Sequence, residues 1–262
     1  MLKPYYTNRL VTLYHGDCRE VLKELRKEGL DRIDLIFTDP PYGHNNNNND
    51  LIARWEIALG QTKGGEIAPT RPILNDGEEA TPMLEEVFAA VADCCCCCCC
   101  CCGGGGGPDP QFARWSLLID KYMRFSQMVI WDKWPMGMGW HYRRSYECVL
   151  VAYGKFLQRE PWYDNSHKVE NIIRPNSGIP KIIPGESDHP TPKPPSLAEK
   201  FIKLHTPADG DAVVVDPFAG GGSTGVAAMR TGRRAILIEL DERFCELSAK
   251  QLDAADGELQ LF

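Results

Sequence analysis

The chain has 262 residues, 43% hydrophobic and 25% charged, the ordinary mix of a globular protein. That length suits one α/β unit with an insertion, and no apolar run approaches the ~18 residues of a membrane span. The net charge of −7 argues against coating nucleic acid by bulk charge but leaves room for a local basic cleft. The opening residues, Met1 to Thr7, hold no apolar core of a secretory leader, so a cytosolic chain is expected.

In chain order, Leu10–Tyr14 is a short β-prone run. Cys18–Lys27 sets Val21, Leu22 and Leu25 at helical spacing, and Ile33–Thr38 reads as a buried strand. A long polar loop with an Asn45–Asn49 run follows, with a short helix near Leu51–Leu59. Pro82–Ala92 is helical with proline in its first turn. After the Cys94–Cys102 and Gly103–Gly107 tracts come a helix over Phe112–Tyr122 and strands over Gln127–Trp131 and Tyr146–Ala152. Pro184–Pro195 is an extended linker. The chain closes with helix Leu197–Leu204, strand Ala212–Val215, helix Thr224–Arg230, strand Ala235–Glu239 and helix Glu242–Leu252. This alternation implies a mostly parallel sheet covered on both faces, with ligands at the carboxyl ends of its strands.

Nine of the twelve cysteines form the single run Cys94–Cys102. A disulfide framework needs spaced cysteines, so the count does not indicate a secreted scaffold. The run occupies a strand slot in the rhythm, and cysteine behaves as a small apolar residue, so it is expected to be a central strand buried on both faces. A disordered tract and a thiolate metal site are the alternatives. Adjacent strand residues point to opposite faces, so few of the nine could share one ion, and no metal is expected.

Two motifs carry chemistry. Asp216-Pro-Phe-Ala-Gly-Gly-Gly-Ser-Thr-Gly225 follows a strand and opens a helix, with Glu239 ending the next strand. Close-spaced glycines let backbone approach a ligand at a helix N-terminus, and a carboxylate at Glu239 suits two ribose hydroxyls. Gly220, Gly222 and Gly225 also match a dinucleotide fingerprint, which leaves nicotinamide binding as an alternative. The second motif, Asp39-Pro-Pro-Tyr42, follows the strand Ile33–Thr38. Two prolines remove two backbone donors, so the Asp39 carboxylate and the Pro40 carbonyl become paired acceptors beside an aromatic ring. Paired acceptors suit an exocyclic amine, and Tyr42 suits stacking on the base that carries it.

On Asp39–Tyr42, Asp216–Gly220, His189-Pro-Thr-Pro-Lys-Pro194 and Tyr14-His-Gly-Asp17, the sequence resembles the amino-group (N6-adenine/N4-cytosine) DNA methyltransferases, in the permuted β-type motif order. The resemblance implies a single, circularly permuted Rossmann-like fold that uses S-adenosylmethionine. Residues 1–154 would be the catalytic part with a loop insertion at about 44–80, residues 155–188 a short target-recognition insertion, and 189–262 the cofactor half. Leu10–Tyr14, Ile33–Thr38 and the cysteine run would be the third, fourth and fifth strands of the family sheet; Ala212–Val215 and Ala235–Glu239 would be its first and second.

The resemblance makes Asp39, Pro40, Pro41 and Tyr42 catalytic. Phe218, Gly220, Gly222 and Thr224 would form the cofactor turn, Asp216 would face the methionine amino group, and Glu239 would hold the ribose. Asp17 would approach the adenine amine, with Lys193 near the methionine end. No covalent enzyme–base intermediate is needed, but the base must be flipped from the stack. Asp39 favours adenine over cytosine, whose enzymes more often begin the motif with Ser; RNA or protein substrates are the further alternatives. Between His141 and Lys181 seven basic residues face four acids, so Arg143, Arg144, Lys155, Arg159, Lys168 and Arg174 are expected to contact phosphates of double-stranded DNA. Trp131, Trp134 and Trp140, with Met136 and Met138, line the base pocket or pack in the core. The family implies a bacterial or phage cytoplasm and permits a homodimer. The tail Glu258–Phe262 resembles peptides that dock on the sliding clamp.

Overall fold

The computed structural model describes residues 2–43, 73–102, 111–133, 145–174 and 193–259. Among them nine strands form one sheet: β1 (Tyr6–Thr7), β2 (Val11–His15), β3 (Ile33–Thr38), β4 (Cys95–Cys102), β5 (Arg124–Asp132), β6 (Tyr146–Tyr153), β7 (Ile172–Ile173), β8 (Val213–Asp216) and β9 (Arg234–Glu239). The helices are α1 (Cys18–Lys27), α2 (Ala80–Val91), α3 (Gln111–Tyr122), α4 (Pro195–His205), α5 (Ser223–Thr231) and α6 (Glu242–Leu259). The order across the sheet is β1-β2-β9-β8-β3-β4-β6-β5-β7. From β2 to β4 neighbouring strands are parallel, whereas β6 runs antiparallel to β4 and to β5. This is the Rossmann-like arrangement the resemblance implies, with the family's third, second, first, fourth and fifth strands side by side.

The sheet buries both faces. One packs against Val21, Leu22 and Leu25 of α1, Leu84 and Phe88 of α2 and Trp115 of α3. The other packs against Leu197 and Phe201 of α4, Val226 of α5 and Leu252 of α6. Strand β3 is buried at every position, which explains its continuous apolar sequence around Asp34.

The cysteine run folds as expected of a central strand. Cys97 and Cys99 join one core face, while Cys98 and Cys100 join the other. Gly154, just past β6, is a glycine because a Cβ there would stand 2.6 Å from the Cys95 carbonyl oxygen.

Most elements fall within one or two residues of their predicted bounds. Helix α6 is longer, running on through Glu258 and Leu259, so the first two residues of the clamp-like tail are helical. Trp131 is buried in the core, 4% exposed. Trp134, Met136, Met138, Trp140, the Asn45–Asn49 run, Gly103–Gly107, the Leu51–Leu59 helix and His189 lie outside the described residues. None of the described helices is long and apolar enough to cross a membrane.

Candidate active site

The two motifs meet because β3 and β8 are parallel neighbours, with Ile36 opposite Val215. Their carboxyl ends, and the turns that follow, therefore emerge side by side. Thr38, the last residue of β3, donates its hydroxyl to Asp216 Oδ1 at 2.9 Å. Asp216 Oδ1 also accepts from the Phe218 amide at 3.1 Å, and Oδ2 accepts from the Thr224 hydroxyl at 2.6 Å. Burial pushes the Asp216 carboxyl up to about 6, against the opposing pull of those donors. Asp216 was expected to face a ligand amine. In the structure it is 3% exposed and accepts from donors of its own chain, so it ties the glycine turn to β3.

The turn itself is shaped by left-handed backbone at Gly220 and Gly222, with φ of 50° and 84°. A Cβ on Gly222 would also press on Ser248 of α6 at 3.0–3.2 Å. Gly225 serves packing: a Cβ there would lie 2.7 Å from Leu237 and 2.9 Å from Leu252. Glu239 closes the turn from β9, its Oε2 accepting from the Gly220 amide and its Oε1 from the Asp241 amide, both at 2.8 Å. Each oxygen takes one of these bonds, and a carboxylate offers about four acceptor sites, so Glu239 keeps acceptor capacity. Burial raises the Glu239 pKa.

Asp17 follows β2, which pairs His15 with Glu239, so it belongs to the same edge of the site. It caps α1 by accepting from the Arg19 amide at 2.9 Å, and its other oxygen holds the Arg19 guanidinium at 2.6 Å. The Arg19 side chain, more than the cap, holds the Asp17 carboxyl below its ordinary value. Its side chain keeps 27% exposure.

The Asp39–Tyr42 turn is more heavily wired than the sequence suggests. Asp39 Oδ2 accepts from Lys193 Nζ at 2.5 Å, and its Oδ1 accepts a short hydrogen bond from the Tyr42 hydroxyl. Lys193 Nζ also reaches the Tyr42 hydroxyl at 3.0 Å and Glu147 Oε2 at 3.3 Å. Glu147 is held in turn by Lys133, 2.5 Å from its Oε1. The result is a cluster of two carboxylates and two ammonium groups, with Lys193 7% and Glu147 13% exposed at the side chain and Lys133, at 36%, on its open side. Burial works against charge on Lys193, but Asp39 and Glu147 outweigh it and raise its pKa. Burial also favours protonated Glu147, and the two lysines reverse that. For Asp39, burial is the larger influence and lifts the carboxyl above its ordinary value.

Lys193 was expected at a cofactor's methionine end; here its ammonium sits on the Asp39 carboxylate. Glu147, Lys133, Thr38 and Gln111 were not singled out in the sequence. Gln111, at the start of α3, donates to the Tyr42 carbonyl. Tyr42 is half-buried, its ring 6.1 Å from that of Trp115. Glu147 had a readable signal, as the one acid in the otherwise apolar strand sequence YECVLVAY.

Of the expected DNA contacts, Lys155, Arg159, Lys168 and Arg174 are exposed on the segment that leaves β6. Lys155 donates to the Lys121 carbonyl at 2.9 Å, and Arg174 lies 3.5 Å from Glu170. Arg143 and Arg144 lie outside the described residues.

Comparison with known proteins agrees with this geometry. Residues 33–250 match the N6/N4 DNA methylase family. The DNA adenine methyltransferase YhdJ of Escherichia coli K12 is 25% identical over 95% of this chain and 85% of its own length. The type II methyltransferase M.HinfI of Haemophilus influenzae is 41% identical over 96% of this chain and 71% of its own. Among solved structures, a DNA modification methylase of Thermus thermophilus, TTHA0409, complexed with S-adenosyl-L-methionine, superposes with a TM-score of 0.63 at 22% identity, covering 93% of this chain and 95% of that one. The cytosine-N4-specific PvuII DNA methyltransferase does so at 0.63 and 19%, covering 95% and 88%. The nicotinamide reading accounts for the glycine turn alone, whereas the matched family spans both turns and the strands between them. This chain belongs to the N6/N4 DNA methylase family.

Proposed function

We propose that the protein transfers a methyl group from S-adenosylmethionine to the exocyclic N6 amine of adenine in double-stranded DNA. The observation that carries this reading is the Asp39-Pro-Pro-Tyr42 turn, set beside the glycine turn by the Thr38–Asp216 bond. The cofactor fits the donor set: Glu239 keeps acceptor capacity for two vicinal hydroxyls, the half-buried Phe218 ring flanks the turn, and Asp17 lies at the adjoining strand end. When bound, S-adenosylmethionine supplies an electrophilic methyl on a sulfonium.

The chain's own residues do the rest. The adenine amine is a poor nucleophile because its lone pair conjugates with the ring. Hydrogen bonds from that amine to Asp39 and to the Pro40 carbonyl hold the nitrogen with its lone pair aimed for in-line attack. Asp39 is suited to receive the proton the nitrogen loses, because burial has raised its affinity for one. To accept the amine, Asp39 gives up its bond to Lys193. Glu147, already 3.3 Å away, then holds that ammonium. Tyr42 stacks on the flipped base, with Trp115 and Gln111 bracing it.

Residues 155–188 form the target-recognition insertion between the catalytic part, 1–154, and the cofactor half, 189–262. Support comes from the exposed Lys155, Arg159, Lys168 and Arg174, and from exposed aromatic side chains beside them: Phe156 at 87%, Trp162 at 38% and Tyr163 at 47%. Arg143 and Arg144 belong to the same basic set. Asp39 favours adenine as the target. The test is mass spectrometry of nucleosides from unmethylated duplex DNA incubated with protein and S-adenosylmethionine. N6-methyladenine is expected; N4-methylcytosine would keep the mechanism and overturn the base.

A further inference from the structure

The alternation that sends neighbouring cysteines to opposite faces also sends every second one to the same face. Cys97 and Cys99 both enter the core covered by α4, where they meet His205, the last residue of that helix. One ligand atom from each of the three lies within 4.8 Å of the other two. Cys97 and Cys99 are fully buried and His205 is 2% exposed.

The histidine is already oriented. Its Nδ1 lies 3.1 Å from the Pro161 carbonyl oxygen. A carbonyl only accepts, so Nδ1 carries the proton and Nε2 the lone pair, the tautomer that an outer carbonyl imposes on metal-bound imidazoles. The ring is held edge-on by Trp162 at 5.4 Å and stacked by Phe201 at 6.4 Å. A small cavity of about 60 Å³, lined by Gln127, Asn171 and Lys200, ends at His205.

We propose that Cys97, Cys99 and His205 bind one zinc ion. The donor set is two sulfurs and an imidazole, which selects a borderline-soft cation over magnesium or calcium. Charge points the same way: two thiolates and Zn(II) make a neutral centre, the least costly one to bury among apolar groups. Loading releases the two thiol protons to solvent, with no change in oxidation state. Sulfurs on one tetrahedral zinc stand roughly 3.8 Å apart, so closing the site asks only small rotations of side chains already adjacent. The fourth position falls to a water. The ion would fasten the cysteine strand to the far end of the helix that begins two residues after Lys193, and so would brace Lys193 from outside the reaction.

The test uses the full-length protein, freed of metal and titrated with zinc, with cobalt as the spectroscopic probe. One equivalent should bind to the folded chain, with thiolate-to-cobalt charge-transfer absorption and a raised melting temperature. Cys97→Ser, Cys99→Ser and His205→Gln should each weaken binding at least tenfold. Cys98→Ser, equally buried but on the opposite face, should bind as the parent does. X-ray absorption of the zinc-loaded parent needs no variant and should show a shell of two sulfurs with nitrogen or oxygen. Failure of the folded parent to retain zinc, an all-sulfur shell, or equal loss in Cys98→Ser would overturn the proposal.

Discussion

Replacing Glu147 by Gln isolates the charge network around Asp39. The substitution keeps the shape of the side chain and removes the second carboxylate on Lys193. In the resting site Lys193 lies 2.5 Å from Asp39 and 3.3 Å from Glu147, with little solvent to screen either pair. At an effective dielectric near 20, unit charges at the longer separation attract by roughly 5 kcal/mol. That attraction holds the ammonium once the base amine has taken its place on Asp39. The amide dipole of Gln and some rehydration return part of it, leaving ~2–3 kcal/mol on the barrier, or about 30- to 150-fold in kcat. The fold should lose less, because Lys133 is 36% exposed and its freed charge can meet water. Single-turnover transfer of labelled methyl from S-adenosylmethionine to DNA reads the chemical step. Cofactor affinity should stay within about threefold of the parent. An unchanged kcat, or a loss fully matched by the unfolded fraction in a melting curve, would refute the argument.

Three further outcomes follow from the packing and the titrating groups. Gly225→Ala should lower the urea midpoint: helix propensity favours Ala by ~1 kcal/mol, but contacts of 2.7 and 2.9 Å with Leu237 and Leu252 cost ~2–3 kcal/mol, a net loss near 1–2. Asp216 is an acid whose folded pKa, about 6, exceeds its unfolded value of ~3.9, so its ionised form costs stability above pH 6. That cost is relieved as pH falls from 6 towards 4, by up to about 1.4 kcal/mol per pH unit. Asp216→Asn should remove this contribution from melting curves taken across the window. Asp39, lifted by burial, should place the acid limb of kcat against pH above that of an ordinary carboxylate, and the Asp39→Ala variant should lack that limb.

Much of the fold is written in local pattern. The buried run IDLIFT reads as an inner strand, and Val21, Leu22 and Leu25 at helical spacing marked a helix that runs over the predicted residues; the Asp17 cap came only with the structure. Even nine cysteines could be placed, because the strand slot demanded small apolar side chains. The two-residue strands β1 and β7 were not legible: pairs that short carry no periodicity and exist only through their partners. The two motifs were visible as motifs, yet their wiring was not. Lys193 lies 154 residues from Asp39 in the chain, and it takes the β3–β8, β3–β4 and β4–β6 pairings to bring it, Glu147 and Asp39 together. Asp216 shows the converse. Its motif suggests a ligand contact, but the hydroxyl of Thr38, on a different strand, claims it.

The central claim is that Asp39 serves the methyl acceptor while the glycine turn with Glu239 serves the cofactor. Calorimetric S-adenosylmethionine binding, paired with single-turnover transfer to DNA, tests that division in Asp39→Ala and Glu239→Ala. Asp39→Ala should bind the cofactor within about threefold of the parent and lose transfer by at least about 100-fold. Glu239→Ala should weaken cofactor binding by at least about 100-fold, since two hydrogen bonds to a charged carboxylate are worth ~3–6 kcal/mol. Transfer at the parental rate by Asp39→Ala, or loss of cofactor binding there as large as in Glu239→Ala, would contradict the account.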